Sequence, residues 1–180
     1  MQKANIIKKI ITGAILVVAL VIFFGASKHK LPAPENLVAQ VYIPKTLEKQ
    51  AILSFSFNAA KDYNGNIPKI YKIEIKNKRF FSKNLFVYVD ANKKIITKAR
   101  YGKYSLNPKN FSGSKIEISG NNVVTVNLMT SPWLSKTFRF KEKLSVVTVR
   151  AVGLNGELGK SVQVRASFKT GDGGVGATQR

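Results

Sequence analysis

Histidine, cysteine and paired carboxylates carry much of enzyme chemistry and metal binding, and this chain offers little of either. It has no cysteine and a single histidine, His29, set between Lys28 and Lys30. Thiolate nucleophiles and thiolate metal sites are therefore excluded, and His29 reads as part of a basic cluster. The nine acids, Glu35, Glu48, Asp62, Glu74, Asp90, Glu117, Glu142, Glu157 and Asp172, are scattered. Glu74 and Glu117 alternate with apolar neighbours, as solvent-facing strand positions do. A glycosidase would need two carboxylates across a cleft, and spacing singles out no such pair. Asp62, Asn64 and Asn66 have the first spacings of a calcium loop but lack its glycine and distal glutamate. They read as a turn centred on Asn64-Gly65. No G-x-S-x-G motif or phosphate-cradling loop is present. No catalytic residue, cofactor or metal site is assigned.

The basic residues are more informative. Between residues 69 and 115 there are 13 Lys or Arg against two acids, Glu74 and Asp90. Aromatics are interleaved with this charge at Arg79-Phe80-Phe81 and at Arg100-Tyr101-Gly102-Lys103-Tyr104. One reading is a solvated surface over core aromatics. The other is a docking face for an anionic partner, with aromatics as anchors. On the second reading the contact residues are Lys78, Arg79, Phe80, Phe81, Lys83, Arg100, Tyr101 and Lys103. Trp133, after Pro132, reads as a filler of core or edge volume or as an exposed contact.

What positions these residues begins with residues 10–26, IITGAILVVALVIFFGA, which contain no charge and no proline. As a helix this run covers about 25 Å, close to a bilayer's hydrocarbon core. It reads as a permanent single-span anchor behind a basic leader, residues 1–9. The alternative is a secretory signal cleaved near Gly25-Ala26-Ser27. Lys3, Lys8 and Lys9 precede the run, and Lys28 and Lys30 follow it. Long C-terminal domains are translocated largely regardless of charge. Both readings therefore place the remainder in the periplasm or extracellular space, attached to the cytoplasmic membrane or secreted. Three of the 30 basic residues precede the run and all nine acids follow it, leaving a net +18 on the remainder. Such a charge implies anionic partners: acidic envelope proteins, lipid headgroups or anionic polymers. Nucleic acid is disfavoured by the apolar run and by the lack of a nucleic-acid motif.

Past a proline-containing linker, residues 27–35, the pattern is that of strands. Residues 51–57, AILSFSF, put Leu53, Phe55 and Phe57 on one face and Ser54 and Ser56 on the other. In residues 70–76, Tyr71, Ile73 and Ile75 alternate with Lys72, Glu74 and Lys76. Hairpins are expected over 85–98 and 115–129, and strands over 36–41, 137–140, 145–152 and 161–169. Residues 170–180 read as a disordered glycine-rich tail. No stretch after residue 26 has a helical period, and many short strands between turns argue an all-β sandwich or barrel.

Several of these stretches resemble a fibronectin type III module. Pro34-Glu35-Asn36-Leu37-Val38-Ala39 is similar to the family's opening strand, Leu53-Ser54-Phe55 to its Leu-x-Trp, and Tyr71-Lys72-Ile73-Glu74-Ile75 to its third strand. Residues 149–161 resemble the penultimate strand, the glycine-containing turn and the serine after it. The chain departs from the family in having Phe55 for the tryptophan and Ser145 at the tyrosine-corner position. The resemblance implies a fibronectin type III-like β-sandwich over residues 36–169, with an inserted hairpin region at about 76–115, preceded by one transmembrane helix. It implies binding rather than chemistry. The expected function is a non-enzymatic, membrane-anchored interaction module of a multi-protein envelope assembly, such as a secretion or surface-appendage system. Binding of cell-wall or headgroup phosphates is the alternative, and an envelope carbohydrate-active enzyme a third. The docking face is expected within residues 76–115, away from the framework strands.

Overall fold

Period-two alternation can be satisfied only where one face of a strand is buried and the other is not. The computed structural model, which describes residues 31–43, 50–62, 64–77, 83–138 and 145–170, has that arrangement in β-strands such as residues 52–58 and 123–129. Residues 1–30, 78–82 and 171–180 lie outside the described residues. With them lie the leader, the apolar run, most of the tail and the predicted contacts Lys78, Arg79, Phe80 and Phe81. Among the described residues no helix is long and apolar enough to cross a membrane.

The strands are β1 (Glu35–Ile43), β2 (Ile52–Asn58), β3 (Ile70–Asn77), β4 (Leu85–Asp90), β5 (Ile95–Tyr101), β6 (Tyr104–Leu106), β7 (Lys115–Ser119), β8 (Val123–Met129), β9 (Ser145–Val152), β10 (Leu158–Arg165) and β11 (Ser167–Thr170). A short 3-10 turn (Pro108–Phe111) precedes β7, and a helix, α1 (Pro132–Phe138), follows β8. One sheet has the order β11-β1-β2-β8-β7 and the other β10-β9-β3-β4-β5-β6. Neighbours are antiparallel except β1 and β11. The fold is all-β, two sheets over one core, compatible with a β-sandwich.

Leu53, Phe55 and Phe57 of β2 are fully buried, as are Val124, Val126 and Leu128 of β8. They meet Tyr71, Ile73 and Ile75 of β3, Leu85, Val87 and Val89 of β4, and Val147 and Val149 of β9 in one apolar cluster. The Phe57 and Tyr71 rings, one from each sheet, pack edge to face with centroids 4.9 Å apart. Such a pair adds roughly 0.5–1.5 kcal/mol beyond its area burial. Residues 76–115 supply β4, β5 and β6, which extend the six-stranded sheet outward from β3.

One reading of the Pro132 region is corrected, and of the two offered for Trp133 the exposed one holds. Residues 137–140 do not begin a strand, because α1 runs to Phe138. The Ser131 hydroxyl accepts from Leu134 N at 3.3 Å, and Pro132 fills a first-turn position where its missing N–H costs nothing. Two turns of helix are too short to register as a period. Trp133 is 58% exposed, and its neighbour Leu134 fills the core instead. The Ser135 hydroxyl then ties α1 to β2, accepting from Ala51 N at 2.9 Å and lying 2.7 Å from Thr130 Oγ1.

The register fixes the two ends of the domain. Leu158, Val152, Ile70, Asp90 and Ile95 form the last row of the six-stranded sheet. The turns at 91–94 and 153–157 lie beyond that row, and loop 59–69 leads into it. The turn 102–103, the 3-10 turn and α1 lie at the opposite end.

Candidate functional site

Strand register gathers six of the described basic residues onto the outer face of the six-stranded sheet. One row across the strands reads Ser161, Arg150, Lys72, Tyr88, Lys98. The next reads Gln163, Thr148, Glu74, Phe86, Arg100, Ser105. A third places Lys76 and Arg165 on either side of Val146. Six cations thus share a face with one carboxylate, on strands about 4.8 Å apart.

That carboxylate is already engaged. Glu74 Oε1 accepts from Asn84 Nδ2 at 3.0 Å and lies 3.6 Å from Lys76 Nζ. The aromatic rings sit among the cations. Lys72 Nζ lies 4.8 Å from the Phe86 ring centre and 6.0 Å from that of Tyr88, and Lys98 Nζ is also 6.0 Å from Tyr88. A cation over a ring face at this range gains roughly 0.5–1 kcal/mol at exposed sites. The rings therefore hold the ammonium groups over the sheet while leaving them charged toward solvent.

A second group closes the end of this face near β6. Lys83 Nζ lies 4.4 Å from the Tyr104 ring centre and 5.9 Å from that of Tyr101, with Lys103 Nζ 5.7 Å from Tyr104. Arg100 Nη2 donates to Lys103 O at 3.4 Å. Gly102 makes this possible. Its φ is +57°, and a Cβ there would come within 3.0–3.2 Å of the Lys83 stem. Of the predicted contacts, Lys83, Tyr101 and Lys103 are thus brought together, and Arg100 lies on the adjoining face. The basic surface is not confined to residues 76–115, since Lys72, Arg150 and Arg165 come from β3, β9 and β10.

Sequence reasoning missed Phe86, Tyr88, Lys98, Arg150 and Arg165 as a group. Lys72 and Arg150 each alternate with core residues, which was a usable signal. Leu85-Phe86-Val87-Tyr88-Val89 is apolar at both parities, so its outward side could not be read. Only register places Arg150 beside Lys72.

The outer face of the other sheet is different in kind. Its rows read Val38, Ser56, Thr125, Glu117 and Gln40, Ser54, Asn127, Lys115. Lys115 and Glu117 balance there, beside Val38 and a set of hydroxyls and amides.

The remaining acids near the turns are held by backbone. Asp62 Oδ1 accepts from Asn64 N and Asn66 N at 2.9 and 2.8 Å, closing the Asn-Gly turn. Asp90 Oδ1 accepts from Lys93 N at 2.9 Å, and Glu157 Oε2 from Asn155 N at 3.1 Å. Among the described residues no group of His, Asp or Glu could hold a metal ion. The face can therefore hold anions by charge, with rings for contact area. No protein-family model matches the chain, and no curated protein matches it.

Proposed function

We propose that this protein is a membrane-anchored, non-enzymatic module that docks an acidic envelope protein on the outer face of its six-stranded sheet. One observation carries the reading: Lys72, Lys98, Arg100 and Arg150 surround Phe86 and Tyr88 on one face, while the opposite face is close to neutral. Charge spread only for solubility would not choose a side. Cations steer encounter and set register, and desolvated rings supply contact energy. The anchor rests on residues 10–26.

A finer fold reading, an immunoglobulin-like sandwich of the fibronectin type III kind, belongs with this proposal. Its support is the order β1-β2-β8-β7 beside β10-β9-β3, which follows the A-B-E-D and G-F-C order of immunoglobulin-like domains. β4 and β5 then stand where variable-type domains add C′ and C″. The material beyond a minimal module is therefore sheet, and it is this added sheet that widens the basic face.

The test is affinity purification of the full chain from solubilised native membranes, beside a Lys72→Glu, Lys98→Glu, Arg150→Glu variant. The native chain should recover a stoichiometric acidic partner, and the variant should lose it while keeping its circular dichroism and melting no lower than the native chain. Recovery of the native chain alone overturns the proposal. A second reading, binding to a phosphate-bearing polymer, draws on the row Arg150, Lys72, Tyr88, Lys98, three of whose four members are cations. It requires affinity that falls steeply with salt through counterion release and does not depend on one protein partner.

A further inference from the structure

The folded part of the chain is held where it meets residue 31. Leu31 O accepts from Lys160 N at 2.9 Å, and Leu31 packs on the core. Gly159 leaves room for it: a Cβ there would come within 2.8 Å of Leu31 Cβ. Gly159 and Lys160 directly follow the turn 153–157, so the chain enters at the end of the domain that carries that turn. Ala26 closes the apolar run, and the five steps to Leu31 span at most about 18 Å. A domain tied in this way presents one end to whatever the apolar run is embedded in.

That end carries exposed apolar residues on its turns and last sheet row. Leu154, at the tip of the turn, is 101% exposed. The turn is braced by Gly153 N to Glu157 O at 2.9 Å and Gly156 N to Gly153 O at 3.0 Å. Ile95 and Leu158, at the two edges of the last sheet row, are also exposed. Three of the seven exposed large hydrophobics among the described residues therefore sit at this end. Lys93 and Lys94 occupy the turn before Ile95, and the Ala91 N–H donates to Lys69 O, bringing a third exposed lysine alongside. The acids here, Asp62, Asp90 and Glu157, each accept backbone N–H groups.

We infer that this end seats on the anionic headgroups of the membrane that residues 10–26 occupy, with Leu154 inserted below the phosphates and Lys69, Lys93 and Lys94 upon them. The inference rests on the anchored reading above. Exposed apolar residues and lysines at the same end of the domain match the chemistry of an interface: apolar below and anionic at the surface. Tethering makes the contact intramolecular, so a modest affinity suffices to hold it closed.

The chain has no cysteine, so one label site can be introduced at a time. Full-length Leu154→Cys, carrying an environment-sensitive fluorophore, is reconstituted into phosphatidylcholine vesicles with or without phosphatidylglycerol. Lys109→Cys, at the opposite end, is the comparison. Headgroup-nitroxide lipid should quench the label at position 154 several-fold more than at 109 in anionic vesicles, and less without phosphatidylglycerol. Adding Lys69→Glu, Lys93→Glu and Lys94→Glu should abolish the difference. Flotation after an alkaline carbonate wash reads the anchor separately. Protein lost from the vesicles overturns both readings. Protein retained with equal quenching at 154 and 109 overturns this inference alone. Equal quenching at 154 in the two lipid compositions overturns the recognition of charge. Shielding of position 154 only when native membrane proteins are added places a protein there and overturns it as well.

Discussion

The hydroxyl of Tyr71 is buried, and it has no hydrogen-bond partner among the described residues. Its ring is wanted, since it packs on Phe57, but its oxygen loses water and gains nothing. Leaving such a group unsatisfied costs about 1–3 kcal/mol, so Tyr71→Phe should stabilise the fold by up to about 1 kcal/mol in urea unfolding at pH 8. Burial also pushes the hydroxyl's pKa upward. The unfolded chain releases this proton near pH 10 while the folded chain keeps it. Its contribution is therefore fully present below pH 10 and is lost as pH rises, at about 1.4 kcal/mol per unit. The advantage of Tyr71→Phe over the native chain should widen by roughly that much between pH 8 and pH 11. A constant advantage would mean the hydroxyl reaches water. Phe55, the neighbour in the core, is fully buried, and Phe55→Ala should cost about 3–5 kcal/mol by thermal unfolding.

At the scale of elements, legibility followed burial. β2, β3 and β8 were readable because each buries alternate residues, as Leu53, Phe55 and Phe57 do against Ser54 and Ser56. β10 and β11 read as one strand, since Val162, Val164 and Ala166 keep the same parity. The chain in fact changes sheets at Ala166, whose N–H donates to Ser145 O at 3.2 Å. A sheet change alters partners and not alternation, so no pattern announces it. α1 was missed because its evidence is a cap, Ser131-Pro132, and not a period. Its attachment is also a matter of single atoms. Ser135 Oγ accepts from Ala51 N and donates to Ser131 O at 3.0 Å or to Thr130 Oγ1. Ser135→Ala would leave the buried Ala51 N–H without an acceptor and should cost about 1–3 kcal/mol. The midpoint of urea unfolding measures this, and Thr137→Ala, on the exposed side of α1, should change it little. Of the candidate site, the basic and aromatic composition was legible. Its location was not, because it depends on β9 pairing with β3.

The whole molecule divides its surface by direction. One end carries Leu154 and receives the chain from residues 1–30, one sheet face is basic and the other is close to neutral. If the end meets the membrane, both sheet faces stand upright from it, and the basic face is open sideways to proteins in the same membrane. The charge that serves binding must then work against folding. With 30 basic residues and nine acids, self-repulsion opposes the compact state. Among the described residues the ion pair found is Lys76 with Glu74 at 3.6 Å, and an exposed pair of this kind contributes about 0–1 kcal/mol. Added salt screens both effects, shrinking the Debye length from about 14 Å near 0.05 M to about 4 Å near 0.5 M. Stability and association should therefore move in opposite directions. In one non-ionic detergent, the melting temperature of the full chain should rise by a few degrees over that range, since repulsion between like charges is relieved. Over the same range its association rate with the acidic partner should fall about tenfold or more. The Lys72→Glu, Lys98→Glu, Arg150→Glu variant should flatten both responses, because it removes cations from the face where they crowd. A melting temperature that falls with salt would mean that attractive pairs dominate this surface, and the basic face would then be spent on folding rather than held open for a partner.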